Sequence, residues 1–245
     1  ITRCHLNGKR CCGTHCVVED SSVIPKEFRL EAKKIQDRFY PIEIDPHMSA
    51  EEKIPYMVEW YSKSHNNLVN SRINKADIPK MIEESTLMLR DGCDAFFKVL
   101  HDHQVPTLVF SAGLGDVLEG ALERYQCMFP NLKFLSNYME FDDLGNVVGF
   151  KGEVIHMFNK NSSHSSNHKH FEDVRDRTSV LLLGDSLWDL NMLSEEDSHH
   201  AVLRIGFLNS KIEERLPEYM NGFDIVLVDD QTMDVVNGIL RKILY

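Results

Sequence analysis

The stretch that decides the fold is Leu181-Leu182-Leu183-Gly184-Asp185-Ser186-Leu187-Trp188-Asp189. An apolar run from Val180 to Leu183 opens it and is typical of a strand buried on both faces of a parallel sheet. Gly184 ends this run, and two carboxylates follow four residues apart, at Asp185 and Asp189. Open α/β sheets bind their ligands at the carboxyl ends of the strands. The stretch therefore predicts a polar site at one edge of a mostly parallel sheet.

These two carboxylates allow two interpretations. Carboxylate oxygens suit a hard cation such as Mg²⁺, which takes oxygen ligands, waters and phosphate oxygens. Alternatively, the stretch is a polar turn that caps the next helix, and Asp189 is merely solvated. The stretch alone favours neither interpretation, so the rest of the chain has to decide.

The composition limits the class of protein. The 245 residues are 42% apolar and 27% charged, as in an ordinary globular protein with a sizeable core. The formal net charge of −11 argues against a general binder of nucleic acid polymers, which needs a basic face. No run approaches the roughly 18 apolar residues of a membrane span, and no signal-peptide pattern is present. Six cysteines without regular spacing indicate reduced thiols. We therefore expect a cytoplasmic protein without a membrane or nucleic acid partner.

Two groups of residues carry the chemical types that ligate metals. The first consists of Cys4, His5, Cys11, Cys12, His15 and Cys16, and the second of His164, His168 and His170. The first group lacks a paired C-x-x-C spacing, which favours a thiol-bearing loop over a zinc site. The second group lies in the polar segment 161–170, where a solvated loop is favoured over a metal site.

The first third of the chain has helical periodicity. An amphipathic helix is predicted from Pro25, a second from Ser49 to about His65, and a third from Lys75 to Leu89. The first of these places four apolar side chains on one face, namely Phe28, Ala32, Ile35 and Phe39. Together the three segments predict a small helical bundle.

Strands and helices alternate in the rest of the chain. Parallel strands are predicted at 107–110, 133–136, 179–183, 201–205 and 225–228, and a hairpin at 138–150. The last helix, 232–245, is predicted to bury Met233, Val236, Leu240 and Ile243. Alternation of this kind predicts an α/β fold with a mostly parallel sheet.

Ser111 and Lys160 add chemistry to the acidic loop. Ser111 ends a buried strand and precedes Ala112 and Gly113, so its hydroxyl and the following N–H groups can form a phosphate cradle. A plain N-cap serine is the alternative. Together with Lys160 as a cation, the acidic loop and Ser111 give three of the four parts of a phosphoryl-transfer site. The fourth part, a nucleophile, is not evident.

Several motifs resemble a known family. The segments Phe110-Ser111-Ala112-Gly113, Phe158-Asn159-Lys160 and Leu183-Gly184-Asp185-Ser186-x-x-Asp189 resemble motifs II, III and IV of the haloacid dehalogenase superfamily. More narrowly, the segments 41–46, 57–61, 149–152 and 223–227 resemble the cytosolic 5′-nucleotidase III family. That family contains the pyrimidine and the 7-methylguanosine monophosphate 5′-nucleotidases.

The resemblance implies an architecture and an activity. It implies a haloacid-dehalogenase-like Rossmannoid core at 1–19 and 86–245, with a helical cap at 20–85 inserted near the N-terminus. The activity it implies is Mg²⁺-dependent hydrolysis of a nucleoside 5′-monophosphate, such as CMP, UMP or 7-methyl-GMP, through an aspartyl-phosphate. The partner is then a small molecule, and we expect a monomer.

Roles for individual residues also follow from the resemblance. Asp185 would ligate Mg²⁺ and Asp189 would orient that site, while Ser111, the Ala112 backbone and Lys160 would hold the phosphate. In the cap, base or sugar would be bound by four side chains: hydrogen bonds come from Glu43 and Ser64, and stacking from Tyr61 or Trp60. Members favouring 7-methylguanosine tend to carry Trp-Trp at the last pair, so Trp60-Tyr61 is closer to the pyrimidine-preferring branch.

One departure from the family pattern concerns the nucleophile. The family's motif I, Asp-x-Asp-x-Thr, supplies the attacking aspartate and the general acid/base, and precedes a segment resembling residues 1–11. The 245 residues contain no Asp-x-Asp, and the chain begins at Ile1 rather than Met. We expect an N-terminally incomplete form of an enzyme whose central strand is missing here. The alternative is a catalytically dead short product that binds nucleotides or a partner.

Overall fold

The computed structural model describes residue 2 and residues 11–45, 47–160, 174, 176–193 and 201–245. Cys4, His5, His164, His168 and His170 lie outside the described residues, so the predictions made for them stay predictions. The helices are α1 Thr14–Glu19, α2 Lys26–Glu43, α3 Ala50–Ser71, α4 Ile78–Glu84, α5 Cys93–Asp102, α6 Gly115–Arg124, α7 Ile212–Gly222 and α8 Asp234–Leu244. The strands are β1 Thr107–Leu114, β2 Leu132–Asn137, β3 Met139–Phe141, β4 Val147–Phe150, β5 Ser179–Gly184, β6 Ala201–Leu208 and β7 Ile225–Val228.

The strands form two parallel groups and one hairpin. Strands β1 and β2 pair in parallel, and β5, β6 and β7 form a parallel sheet in that order. Strands β3 and β4 pair antiparallel as the predicted hairpin. The prediction of an α/β fold with mostly parallel strands is confirmed.

Strand β1 is longer than its apolar run predicts. The prediction ended it at Phe110, whereas the strand continues through Ser111, Ala112 and Gly113 to Leu114. Side chains of β2 keep this segment extended, because the Ser136 hydroxyl donates to the Gly113 carbonyl at 2.8 Å and the Asn137 amide to the Ala112 carbonyl at 2.9 Å. The register between β1 and β2 shifts over the same residues.

The helical region also departs from the predicted boundaries. Helix α3 starts where predicted, with a capping box between Ser49 and Glu52, but continues past His65 to Ser71 because Leu68 extends its buried face. The predicted helix 75–89 is instead a 3₁₀ turn, Lys75–Asp77, followed by the shorter α4. Helix α4 stops early because the Ser85 hydroxyl donates to the Ile82 carbonyl.

Helix α8 corrects one predicted core residue. Met233, Val236 and Leu240 are buried as predicted, but Ile243 is 64% exposed. The next residue on the buried face after Leu240 is Leu244, four positions on, and Leu244 packs against the main apolar cluster. This cluster also contains Phe28 of α2, so helical region and sheets share one continuous core.

The two parallel groups are not joined by hydrogen bonds in the described part of the chain. Strand β1 pairs with β2, strand β5 pairs with β6, and no pairing connects β1 with β5. Residues 107–111 and 179–184 instead line a common cavity. We call the part of the cavity between these two segments the slot. Within the described ranges, no helix combines the length and apolarity that a membrane crossing requires.

Candidate active site

A single cavity of about 1470 Å³ brings together all the site residues predicted from the sequence. These are Glu43, Trp60, Tyr61, Ser64, Ser111, Ala112, Lys160, Asp185 and Asp189. The first four belong to α2 and α3. Of the other five, two lie in β1, Lys160 lies between β4 and β5, and the two aspartates follow β5. The cavity therefore runs from the helical region to the carboxyl edge of both parallel groups and includes the slot.

Asp189 is a buried anchor and not a solvated turn residue. It is 5% exposed, and its Oδ2 accepts from the backbone N–H groups of Asp185 at 3.0 Å and Ser186 at 3.1 Å. The Ser186 side chain in turn accepts from Trp188 N–H and caps a short 3₁₀ helix, Leu187–Met192. The loop does contain the capping turn of the alternative interpretation, but Asp189 is not merely solvated as that interpretation supposed.

Lys160 reaches the same carboxylate. Its Nζ lies 3.0 Å from Asp189 Oδ1, and both side chains are largely withdrawn from water, at 16% and 6% exposure. A desolvated ion pair fixes both partners because breaking it leaves an uncompensated buried charge. The pair therefore locks the loop after β4 to the loop after β5.

Asp185 has a fixed backbone and an exposed side chain. Its N–H donates to Asp189, and its carbonyl accepts from the Tyr219 hydroxyl at 2.7 Å. Tyr219 comes from α7 and is 1% exposed. The side chain of Asp185 lines the cavity, so the loop presents a carboxylate whose position is set from both directions. Nothing in the sequence around Tyr219 indicated this role.

Ser111 does not cap a helix. Its hydroxyl accepts from the Gly113 N–H at 3.1 Å, whereas the N-cap residue of α6 is Leu114, which has no side-chain cap. The N–H of Leu114 is instead bound by the Thr14 hydroxyl of α1, at 2.9 Å. A Cβ atom at Gly113 would lie 2.2 Å from that hydroxyl, so the contact requires glycine. The plain N-cap interpretation is wrong, and Thr14 is a residue that sequence reasoning missed.

Asn137 connects the Ser111 segment with the loop that carries Lys160. Its amide nitrogen donates to the carbonyls of Ala112 at 2.9 Å and Ile155 at 2.8 Å, and its oxygen accepts from Ile155 N–H at 2.9 Å. The side chain is buried, so each of these bonds is costly to lose. A polar residue ending the apolar strand β2 is the one sequence signal that could have identified it.

Two aromatic side chains of α3, Trp60 and Tyr61, line the helical side of the cavity. Trp60 stacks on Phe39 of α2 with ring centroids 6.1 Å apart, and Tyr61 meets His15 and His65 edge-on, each at 6.0 Å. Burial, with a further contribution from the Glu43 charge, raises the pKa of Tyr61 above its usual range. A tyrosine hydroxyl is protonated at neutral pH and can donate a hydrogen bond, and the shift favours this protonated form further.

The sequence as a whole decides the family. A model of the family described as pyrimidine 5′-nucleotidase (UMPH-1) matches residues 1–244. The chain belongs to the pyrimidine 5′-nucleotidase (UMPH-1) family. Family members are 5′-nucleotidases, which are phosphoric monoester hydrolases, so the predicted family and enzyme class are confirmed.

Relatives of this UMPH-1 family chain match it over its whole length. The 7-methylguanosine phosphate-specific 5′-nucleotidase of Mus musculus is 44% identical over 245 residues, covering 100% of this chain and 82% of the relative. The enzyme of the same name from Gallus gallus is 45% identical over 244 residues, covering 100% of this chain and 84% of the relative. The crystal structure of cytosolic 5′-nucleotidase IIIB bound to cytidine matches with a TM-score of 0.85 and 35% identity, covering 94% of this chain and 78% of that one. The predicted haloacid-dehalogenase-like fold class is thereby confirmed.

His65 makes the stability of this family member depend on pH. Burial, with a smaller contribution from nearby His15, lowers the pKa of His65 to about 3, and its ring stacks on Phe150 at 3.6 Å. Below pH 6.5 the unfolded state binds a proton at this residue while the folded state does not, so stability falls as the pH drops from 6.5 towards 3. At pH 5 the loss from this residue is about 2 kcal/mol. Urea unfolding at pH 7 and pH 5 measures it.

A variant that keeps the ring but cannot titrate tests this prediction. Between pH 7 and pH 5, the free energy of unfolding of His65→Phe should fall by about 2 kcal/mol less than that of the parent. The exposed His47, replaced by Gln, is the matched control because its side chain is solvated in both states. An equal decline in the parent and in His65→Phe would contradict the assignment.

Proposed function

We propose that this chain forms the substrate-binding and metal-binding parts of a Mg²⁺-dependent 5′-nucleotidase. The observation that carries the proposal is the shared cavity, which is lined by polar groups of β1 and the β5 loop and by Glu43, Trp60, Tyr61 and Ser64 of α2 and α3. Groups suited to phosphate and groups suited to a nucleoside therefore line one space. A nucleoside monophosphate has the same two ends, one anionic and one flat and apolar.

The phosphate end is assigned to Ser111, the Ala112 backbone and Lys160. Lys160 has three N–H donors and directs one to Asp189 at 3.0 Å, so it can offer others to a phosphate oxygen. The Ser111 hydroxyl accepts from Gly113 N–H and keeps its own proton for donation. Such positioned donors stabilise the charge that develops on a transferring phosphoryl group.

Asp185 is assigned as a Mg²⁺ ligand. Its carboxylate lines the cavity, oxygen is the ligand type that Mg²⁺ prefers, and the backbone on both sides of it is hydrogen-bonded. Bound Mg²⁺ would neutralise charge on the phosphate. Asp189 has both oxygens engaged by N–H donors, so we assign it to orienting Asp185 and Lys160.

The nucleoside end is assigned to Glu43, Ser64, Trp60 and Tyr61. An aromatic ring can stack on any base, so specificity depends on the polar pair. The relatives named above are specific for 7-methylguanosine phosphate by name, and a pyrimidine nucleoside, cytidine, is bound in the matching crystal structure. We therefore propose that the enzyme accepts pyrimidine nucleotides such as CMP or UMP and also 7-methyl-GMP. We further propose that it is a cytosolic monomer, with a core at 1–19 and 86–245 and a cap at 20–85.

Phosphate release tests the proposed function. A protein that carries the family's Asp-x-Asp-x-Thr segment ahead of residue 1 should hydrolyse CMP, UMP or 7-methyl-GMP with Mg²⁺ and lose activity with a chelator. The attacking aspartate would form an aspartyl-phosphate as the nucleoside leaves, and water would then release phosphate. Nucleotide binding without any hydrolysis in that protein would favour the alternative of a binding module.

Glu43→Ala should change which base is accepted more than it changes the chemical step. Glu43 ends α2 and lines the cavity from the helical region. We therefore expect its loss to remove a contact to the nucleoside and not to phosphorus. We expect kcat/KM for the best substrate to fall roughly 10- to 100-fold and the CMP to 7-methyl-GMP ratio to shift. The exposed Glu51→Ala is the matched control. Equal losses on every substrate would argue against this division of roles.

A further inference from the structure

Three side chains of metal-binding types converge at the cavity, and none of them is assigned to the phosphate or to the nucleoside. Cys12 Sγ lies 3.0 Å from Cys16 Sγ, and Asp20 Oδ2 lies 3.5 Å from the first sulfur and 3.2 Å from the second. Cys12 precedes α1, Cys16 lies within it and Asp20 follows it. Because the three residues are spaced four apart, their side chains lie on the same face of the helix. Sequence reasoning considered the two cysteines and missed Asp20.

The geometry suits a tetrahedral metal with soft ligands. Zn–S bonds of 2.3 Å at a tetrahedral angle place two sulfurs roughly 3.8 Å apart, and a carboxylate oxygen about as far from each. The observed distances of 3.0 to 3.5 Å come within about 1 Å of that arrangement. Small rotations of the side chains are therefore sufficient, and the backbone of α1 can stay in place.

We propose that Cys12, Cys16 and Asp20 bind one Zn²⁺ ion, with the fourth position open to water. Both thiols give up a proton when the metal binds, so two protons are released to solvent. Cys12 is buried, whereas Cys16 and Asp20 line the cavity and give the ion a path of entry. In the described ranges this is the one cluster of three such side chains whose ligand atoms lie within 4.8 Å of one another.

The site differs in chemistry from the one assigned to Asp185. Thiolates select zinc and other soft metals, whereas Mg²⁺ prefers oxygen ligands. Excess Mg²⁺ therefore occupies a carboxylate site without competing for two thiolates. The ion would tie the segment before α1 to Asp20, the residue that caps the C-terminus of this helix, and would stabilise the helix that holds Leu114 through Thr14.

Zinc titration of the reduced protein in excess Mg²⁺, without nucleotide, tests the proposal. We expect one equivalent of Zn²⁺ to bind, and Co²⁺ in its place to give a thiolate-to-metal charge-transfer absorption. Replacing a residue that only hydrogen-bonds a metal ligand typically lowers metal affinity 10- to 100-fold. Cys16→Ser removes a ligand itself, so it should lower the affinity for Zn²⁺ about 100-fold or more. The neighbouring thiol Cys11, replaced by Ser, is the matched control and should retain binding within about threefold.

The carboxylate has its own pair of variants. Asp20→Asn should weaken Zn²⁺ binding about tenfold or more, and the adjacent Glu19→Gln should not. Failure of the reduced parent to bind Zn²⁺, or equal affinity in Cys16→Ser and Cys11→Ser, would overturn the proposal. Because no nucleotide is present, neither result bears on the proposed nucleotidase activity.

Discussion

Asp185→Ala is expected to lower kcat/KM at least about 10³-fold in a protein that carries the Asp-x-Asp-x-Thr segment, a loss of about 4 kcal/mol in transition-state stabilisation. The change removes a metal ligand and with it the charge neutralisation that phosphoryl transfer requires. The backbone of Asp185 stays bound through Asp189 and Tyr219, whose hydrogen bonds involve main-chain atoms of residue 185. The loop should therefore keep its shape, and the loss should be chemical.

Two comparisons make this result specific. Asp143→Ala removes a carboxylate of the same size from the exposed turn between β3 and β4. Asp143 does not line the cavity, so this change should leave kcat/KM unchanged. Glu43→Ala should cost much less than Asp185→Ala and should act on the choice of base. The measurements are kcat/KM for CMP and its dependence on Mg²⁺ concentration. A loss below tenfold in Asp185→Ala, or the same loss in Asp143→Ala, would contradict the assignment.

The carboxyl edge of the sheet could be predicted from sequence because its signals are local. An apolar run that ends in Gly-Asp reports both a buried strand and the polar groups that follow it. Ser111 follows the apolar run of β1 and Asp185 follows that of β5, and each strand is parallel to its paired neighbour. Their meeting in one cavity agrees with the expectation that these two runs lead to one polar site. Glu43 and Ser64, by contrast, came from the family resemblance, since periodicity alone cannot place a helix above a sheet edge.

The supporting residues could not be predicted because they act across long separations. Thr14 holds Leu114 from 100 positions away, and Tyr219 holds Asp185 from 34. Each is a common residue type in an ordinary local context, so nothing near it in sequence marks its partner. Lys160 and Asp189 show the same limit, because each motif was visible but their contact was not. Such contacts depend on the tertiary fold, which local patterns do not encode.

A polypeptide made of these 245 residues alone should release no phosphate from CMP, and a peptide carrying the Asp-x-Asp-x-Thr strand should restore the activity. Strands β1 and β5 each pair on one side in the described part of the chain, and both line the slot. Neighbouring strands of a sheet lie about 4.8 Å apart, and we expect a strand added in the slot to pair with both β1 and β5. Such pairing would satisfy backbone N–H and C=O groups that are costly to leave unbonded.

Stability and activity should respond to the peptide separately. At a peptide concentration 100 times its Kd, the stabilisation is about 2.7 kcal/mol, which raises the Tm of a chain of this size by roughly 5 to 10 °C. A peptide with the first aspartate replaced by Asn should raise Tm equally but restore no hydrolysis, because it supplies the strand without the nucleophile. A peptide with Pro at its centre should do neither, since Pro removes a ladder hydrogen bond.

These three peptides separate strand addition in the slot from peptide binding elsewhere on the protein. A Tm increase that the Pro peptide reproduces would show that binding does not depend on backbone pairing in the slot. Hydrolysis by the 245 residues alone would mean that a carboxylate within them attacks phosphorus, and the assignment of the nucleophile to the Asp-x-Asp-x-Thr strand would be wrong. Restoration by the parent peptide alone is the result expected if β1 and β5 jointly position that aspartate beside Lys160 and Asp185, because the slot belongs to the cavity that both residues line.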